Sequence, residues 1–232
     1  MIKVDTVYQR VLALANKEQR GYITPQEFNL YANHAQMDIF EQYFYDINQF
    51  GRLPGNNTEY SDMLNYLEEK INIFEAHKQI NINAGQEFYN TSQIGNLYKI
   101  GSISYNNSVC EKVNVRDIEA VNKSPLLKQK PTTPIYVLKD NKIYIYPSDI
   151  KDSIIVNYIK KPKKVNWTYV VVGEKALYNT NAIDKQDFEL HISEETKLVI
   201  KILQLAGITL KDPALYQIAG AEDNKNIQQE KQ

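Results

Sequence analysis

"PIYVLKDNKIYIYP", Pro134 to Pro147, alternates Tyr with aliphatic residues on both sides of Asp140-Asn141. That period places one set of side chains on each face of a strand, and Asp-Asn tolerates the backbone of a tight turn. The stretch therefore reads as a β-hairpin. Other short β-rich pieces surround it, separated by Asn, Asp, Gly and Pro: "LYKIGSISY" from Leu97, "SIIVNYIKKP" from Ser153 and "WTYVVV" from Trp167. A second hairpin is expected from "WTYVVV" through Gly173-Glu174-Lys175 to "ALYN", with a protruding tip.

Outside this region the hydrophobic period changes to that of helices. Asp5 can cap a first helix with Val7, Val11 and Leu14 at helical spacing, ended by Gly21. Thr24-Pro25-Gln26-Glu27 supplies a capping hydroxyl, Pro at the first helical position and Glu at the third, which starts a helix running to about Phe50. A third helix is expected from Ser61-Asp62, with Leu64, Leu67, Ile71, Phe74 and Lys78 along one face. Helix returns at Ser193, whose hydroxyl can cap while Glu194 and Glu195 favour the positive end of the dipole. "KLVIKILQLAGITL" is apolar around most of its circumference, which argues burial between neighbours. Asp212-Pro213 is expected to start one more helix. The fold class that follows is α+β: a helical bundle from residues 1–90 and 191–232, with a tail at 213–232, and a central antiparallel β domain over 91–190 carrying a hairpin insertion around 165–180.

Composition fits an ordinary globular chain. Of 232 residues, 43% are hydrophobic and 24% charged, so enough apolar surface exists to build a core. The formal charge of −1 gives no global field toward nucleic acid or an acidic membrane. No apolar run approaches a membrane span. Seventeen Tyr against one Trp give many side chains suited to extended interfaces, and Cys110, the single cysteine, excludes an internal disulfide.

Candidate chemistry is sparse. Asp46-x-Asn48-x-x-Gly51 glances at a calcium loop, but its fifth and twelfth positions hold Phe50 and Asn57, which cannot ligate as that loop requires. His34, Asp38 and Glu41 share a helical face and read as an exposed pair plus a solvated acid. No phosphate loop, dinucleotide fingerprint, nucleophile elbow or zinc-protease motif is present. We therefore expect no enzyme, no metal and no cofactor. The basic run "KKPKK" contributes Lys160, Lys161, Lys163 and Lys164, which could touch phosphate while Trp167 and Tyr169 stack on bases; equally, it reads as a strand exit whose lysines solvate an edge.

The second helix carries two apolar stripes. Phe28, Ala32, Ala35, Ile39 and Tyr43 form one; Met37, Phe40, Phe44 and Ile47 form another, rotated by about 100°. One can serve the subunit's own core and the other a neighbouring subunit, or both can face one internal bundle.

Four phrases, taken in order, resemble the head-to-tail connector proteins of tailed bacteriophages, the adaptor or tail tubular protein A type, in particular the neck ring proteins of crAss-like phages. They are "VYQRVLALANKEQRGYITPQEFNLYANHAQMDIFEQYF", "LYKIGSISYNNSVCEKVNVRDIEAV", "PIYVLKDNKIYIYPSDIKDSIIVNYIKKP" and "EETKLVIKILQLAGI". The resemblance implies a structural virion protein of the phage neck, assembled in the host cytoplasm into a ring of twelve copies beneath the portal. Its partners would be itself, the portal protein, the next neck or tail ring, and double-stranded DNA passing without sequence specificity. It also implies that the carboxy-terminal segment docks on the portal, with Leu215, Tyr216 and Ile218 as candidate contacts; of the two stripes on the second helix, the one with Met37, Phe40, Phe44 and Ile47 is the candidate surface for packing between subunits. The stretch "WTYVVVGEKALYNTNAIDKQDFEL" departs from the family pattern. The alternative is a nucleic-acid-binding accessory protein using Lys160 to Lys164.

Overall fold

A computed structural model describes residues 1–17, 23–50, 58–83, 85–125 and 129–209. In chain order the elements are α1 (Val4–Lys17), α2 (Pro25–Phe50), α3 (Thr58–Asn72), β1 (Glu75–Ile80), β2 (Phe88–Asn90), β3 (Leu97–Tyr105) and β4 (Ser108–Lys112). They continue with α4 (Ile118–Lys123), β5 (Ile135–Lys139), β6 (Lys142–Tyr146), β7 (Ile154–Lys160), β8 (Tyr169–Val172), β9 (Lys175–Tyr178) and α5 (Glu195–Thr209). Two compact units result, Met1–Ile73 with Pro162–Gln232, and Phe74–Lys161. The fold is mixed α+β, as the hydrophobic periods indicate. Gly21, Gly51 and the helix expected from Asp212 lie outside the described residues.

In the first unit α1 and α2 pack against α5, and α3 against α2. The α2 start forms the capping box read from the sequence. Glu27 N–H donates to Thr24 Oγ1 at 3.3 Å, and Thr24 N–H donates to Glu27 Oε2 at 2.9 Å. Hydrogen bonds from the Thr24 backbone N–H, then its hydroxyl, hold the Glu27 carboxyl below its ordinary range. Phe28, Ala32, Ala35, Ile39 and Tyr43 are all buried, facing a core to which α1 gives Val7 and Val11, and α5 gives Leu198, Ile202 and Ala206. Each large apolar side chain buried here contributes about 1.5–3 kcal/mol. The start of α5 differs from expectation: a 3-10 turn at Ile192–Glu194 precedes it, and His191, not Ser193, is the capping residue, accepting from Ser193 N–H at 3.3 Å.

The second unit is a curled, mostly antiparallel sheet in the order β1-β7-β3-β4-β5-β6-β2, with β4 and β5 parallel. Here the third-helix expectation is corrected. Leu67 and Ile71 do lie on a buried helical face, but the helix stops at Asn72, and the chain carrying Phe74, His77 and Lys78 runs into β1. Six consecutive residues of β1 pair with β7, from Glu75↔Ile159 to Ile80↔Ile154, and this long-range ladder overrides the local helical spacing. The core of the unit collects Ile80, Ile103, Ile143, Ile154, Val156 and Cys110. Where β3 bulges against β7, a Cβ on Gly101 would lie 3.2 Å from the Asn157 carbonyl oxygen, so glycine permits the approach of the two backbones.

Candidate functional site

The segment after Pro162 is attached to the helical unit by side-chain amides rather than by a sheet. Asn29, Asn33 and Gln36 stand on one face of α2, at i, i+4 and i+7. Asn33 Oδ1 accepts from Val165 N–H at 2.8 Å while its Nδ2 donates to Val165 O at 2.9 Å. Asn29 does the same for Trp167, accepting from its N–H at 2.8 Å and donating to its O at 3.2 Å. Gln36 Nε2 donates to Lys163 O at 2.8 Å, and Gln36 Oε1 accepts from Glu189 N–H at 3.1 Å. Four helical residues rise about 6 Å and two extended residues about 6.6 Å, so the amides match alternate residues of the strap. In effect α2 offers the strap the donors and acceptors of a neighbouring strand.

At the end of this ladder Trp167 anchors a hairpin. Its ring lies 4.2 Å from that of Tyr8 and stacks near-parallel with Tyr169 and Tyr178, at 5.9 and 5.7 Å between centroids. Its Nε1–H donates to Asp5 Oδ1 at 2.9 Å. Burial, followed by the nearby Asp187 and Asp5 charges, pushes the Tyr178 hydroxyl up from its ordinary value. Beyond the anchor β8 and β9 pair over four residues, closed by Gly173 and Glu174 with φ of 54° and 65°. Two consecutive left-handed residues make the tight turn that matches strand twist. Val170, Val171, Val172 and Leu177 on this hairpin are 50–63% exposed.

The residues singled out by sequence fare unequally. Phe40, expected on the stripe offered to a neighbour, is fully buried within the chain's own core and stands edge-on to Phe44 at 5.0 Å. Helix α2 is packed on more than one side, which draws part of the second stripe inward. Met37, Phe44 and Ile47 remain half-buried. Lys160 ends β7 and Lys161 follows it, their N–H groups donating to Phe74 O and Asn96 O at 2.9 and 2.7 Å, while Lys163 and Lys164 begin the strap. Lys161 lines a polar hollow of about 670 Å³ together with Asn96, Asp140 and Asn141. Lys163 Nζ lies 4.0 Å from Glu189. The stacking role expected of Trp167 is corrected: the ring is 1% exposed and already stacked within the protein. His34 and Asp38 form an exposed pair at 3.5 Å. Leu215, Tyr216 and Ile218 lie outside the described residues.

Two features carried no local sequence signal. One is the amide ladder. The other is a buried ion pair between Lys70 and Glu194, 2.6 Å apart, with the ammonium 4.3 Å from the Tyr66 ring centroid. Glu194, expected only to favour the positive end of the helix dipole, is buried at 2% exposure against that partner. Burial also pushes the Cys110 thiol up to about 11, so its thiolate is scarce near neutrality. Among the described residues no three His, Cys, Asp or Glu side chains gather into a metal-binding cluster, and no helix is long and apolar enough to cross a membrane. Neither a protein-family model nor a curated protein matches the sequence.

Proposed function

We propose that this protein is a structural subunit of a tailed-bacteriophage neck. It closes into a ring, twelve copies by the resemblance, between the portal and the next neck or tail ring, extends the DNA channel and gives the tail a docking surface. Its work is mechanical, without a catalytic step or cofactor, and it belongs to the virion after assembly in the host cytoplasm. The observation that carries this reading is the β8–β9 hairpin: four neighbouring apolar side chains held in water beyond a rigid aromatic anchor. Grouped exposure of that kind is a mark of protein contact surfaces, whereas scattered exposed apolar residues are not. The order of the four connector-like phrases supports the same reading. A formal charge of −1 is compatible with a lumen through which DNA slides, since many strongly basic copies would grip phosphate. The alternative, nucleic-acid binding through Lys160 to Lys164, loses one of its two stacking residues with the burial of Trp167, while Tyr169 is half-buried.

The test is the mass of the purified protein, alone and mixed with its portal, by analytical ultracentrifugation and negative-stain imaging. A ring, or assembly induced by portal, is the expected result. A monomer that ignores portal overturns the reading.

A further inference from the structure

We propose that the β8–β9 hairpins of neighbouring copies join edge to edge into one annular sheet, an inference that rests on the ring reading above. The backbone pattern leads to it. Val172 and Lys175 flank a two-residue turn and so form a hydrogen-bonded pair, and pairs then alternate along the hairpin. Val170↔Leu177 uses inward-facing backbone groups, as does the next such pair, where Asn179 N–H donates to Thr168 O at 2.8 Å. The N–H and C=O groups of Tyr169 and Val171 on β8, and of Ala176 and Tyr178 on β9, consequently face away from the partner strand. No third strand joins this sheet among the described residues.

Open edges are usually guarded by lysine, proline or a bulge. Strand β8, "YVVV", has none of these. The occupant that satisfies both edges at once is a second copy. Strand β8 runs antiparallel to β9, so the β9 edge of one copy meets the β8 edge of the next in the same antiparallel sense, and closing the ring leaves no edge. Charge agrees with this arrangement. Each copy brings one acid, Glu174, and one base, Lys175, to the rim, so adding copies adds no net charge. Equivalent charges recur every second strand, about 10 Å apart, near the screening length at physiological salt. The valines, exposed on both faces of the single hairpin, then pack against the valines of adjacent hairpins.

Hydrogen exchange read by mass spectrometry and NMR separates this from packing of a hairpin face. On assembly the amides of Tyr169, Val171, Ala176 and Tyr178 should slow by about tenfold or more. The inward amides of Val170 and Leu177 are already bonded in the free subunit. Val171→Pro removes an outward N–H that the hairpin itself does not use, so assembly should be lost while the emission of Trp167, the single tryptophan, stays unchanged. Should that variant disturb the hairpin, Glu174→Lys provides a second route: it loads the rim with like charge and should weaken assembly several-fold at low salt. The double change Glu174→Lys with Lys175→Glu should restore it. Rings that form while the outward amides keep exchanging freely, or whose assembly survives both variants, overturn the annular sheet and leave the neck reading standing. Protection of those amides only when portal is added assigns the edge to portal and likewise overturns it. Absence of any ring, with or without portal, removes the neck reading itself.

Discussion

The two hairpins of this protein share one local code and opposite surroundings. Both turn through two left-handed residues, Asp140-Asn141 with φ of 52° and 57° and Gly173-Glu174 with 54° and 65°, and both flank the turn with β-branched and aromatic residues. The β5–β6 hairpin is covered on each edge, by β4 and by β2; Tyr136, Ile143 and Ile145 are buried in the sheet core, and Val137 is buried as well. The β8–β9 hairpin is joined by no third strand among the described residues, and its valines are in water. Alternation and turn chemistry therefore determine that a hairpin forms, and only the rest of the chain determines whether it is buried in a core or left exposed to water.

The sharpest way to break that comparison is to delete equivalent bulk from each hairpin. Ile143 is fully buried, so Ile143→Ala should cost about 3 kcal/mol through lost burial and the cavity left behind. Val171 is 63% exposed, and Val171→Ala in the free subunit should stay within about 0.5 kcal/mol of the parent. Native-state hydrogen exchange of the β6 amides and of the inward β8 amides reads the two effects separately. Similar losses from both would mean that the valines are already packed in the monomer.

How far the sequence reveals the fold follows the same line between local and distant causes. Helix α2 was legible from Thr24 and Glu27 because a capping box needs only four residues, and both hairpins were legible from turn residues and alternation. Strand β1 was not, because Leu67, Ile71 and Phe74 continue a helical spacing and only pairing with β7, some eighty residues onward, makes it a strand. The anchoring of the strap was hidden for a similar reason. Asn29, Asn33 and Gln36 visibly share a helix face, but amides on a surface usually bond to water, and the backbone they hold lies well over a hundred residues away. Phe40 shows the converse error, an apolar position correctly placed on a stripe whose burial depends on neighbours the sequence does not specify.

The strap's attachment gives the next effect in size. Val165 is buried, and Asn33 is its backbone's partner on both sides, so Asn33→Ala leaves an N–H and a C=O without their bonds. The expected cost is about 2 kcal/mol, since water re-enters to relieve part of the loss. Because Trp167 sits two residues farther on, its emission should shift to the red at lower urea than in the parent. The hairpin would then keep its local turn but lose the base that orients it. An unchanged midpoint would show that the aromatic anchor alone positions β8 and β9.

The smallest effect separates the two turns and tests the hairpin in its two settings. Asn141 tolerates a left-handed backbone, but Glu174 occupies that region with a Cβ and no local side-chain bond to offset the strain. Glu174→Gly should therefore stabilise the free hairpin by about 0.5 kcal/mol, the relief of strain being partly offset by the greater freedom of glycine in the unfolded chain. Asn141→Gly should give less. The gain would appear as slower exchange at the inward amides of Val172 and Lys175 in the free subunit. Assembly into the proposed ring should move the other way, because the substitution leaves each copy with Lys175 unbalanced at the hairpin tip, and weak repulsion would then accumulate between copies at low salt. A variant whose hairpin is firmer but whose ring is looser would tie the tip's charge to contact between copies. Parallel changes in both would mean that the turn acts only through the hairpin's own stability.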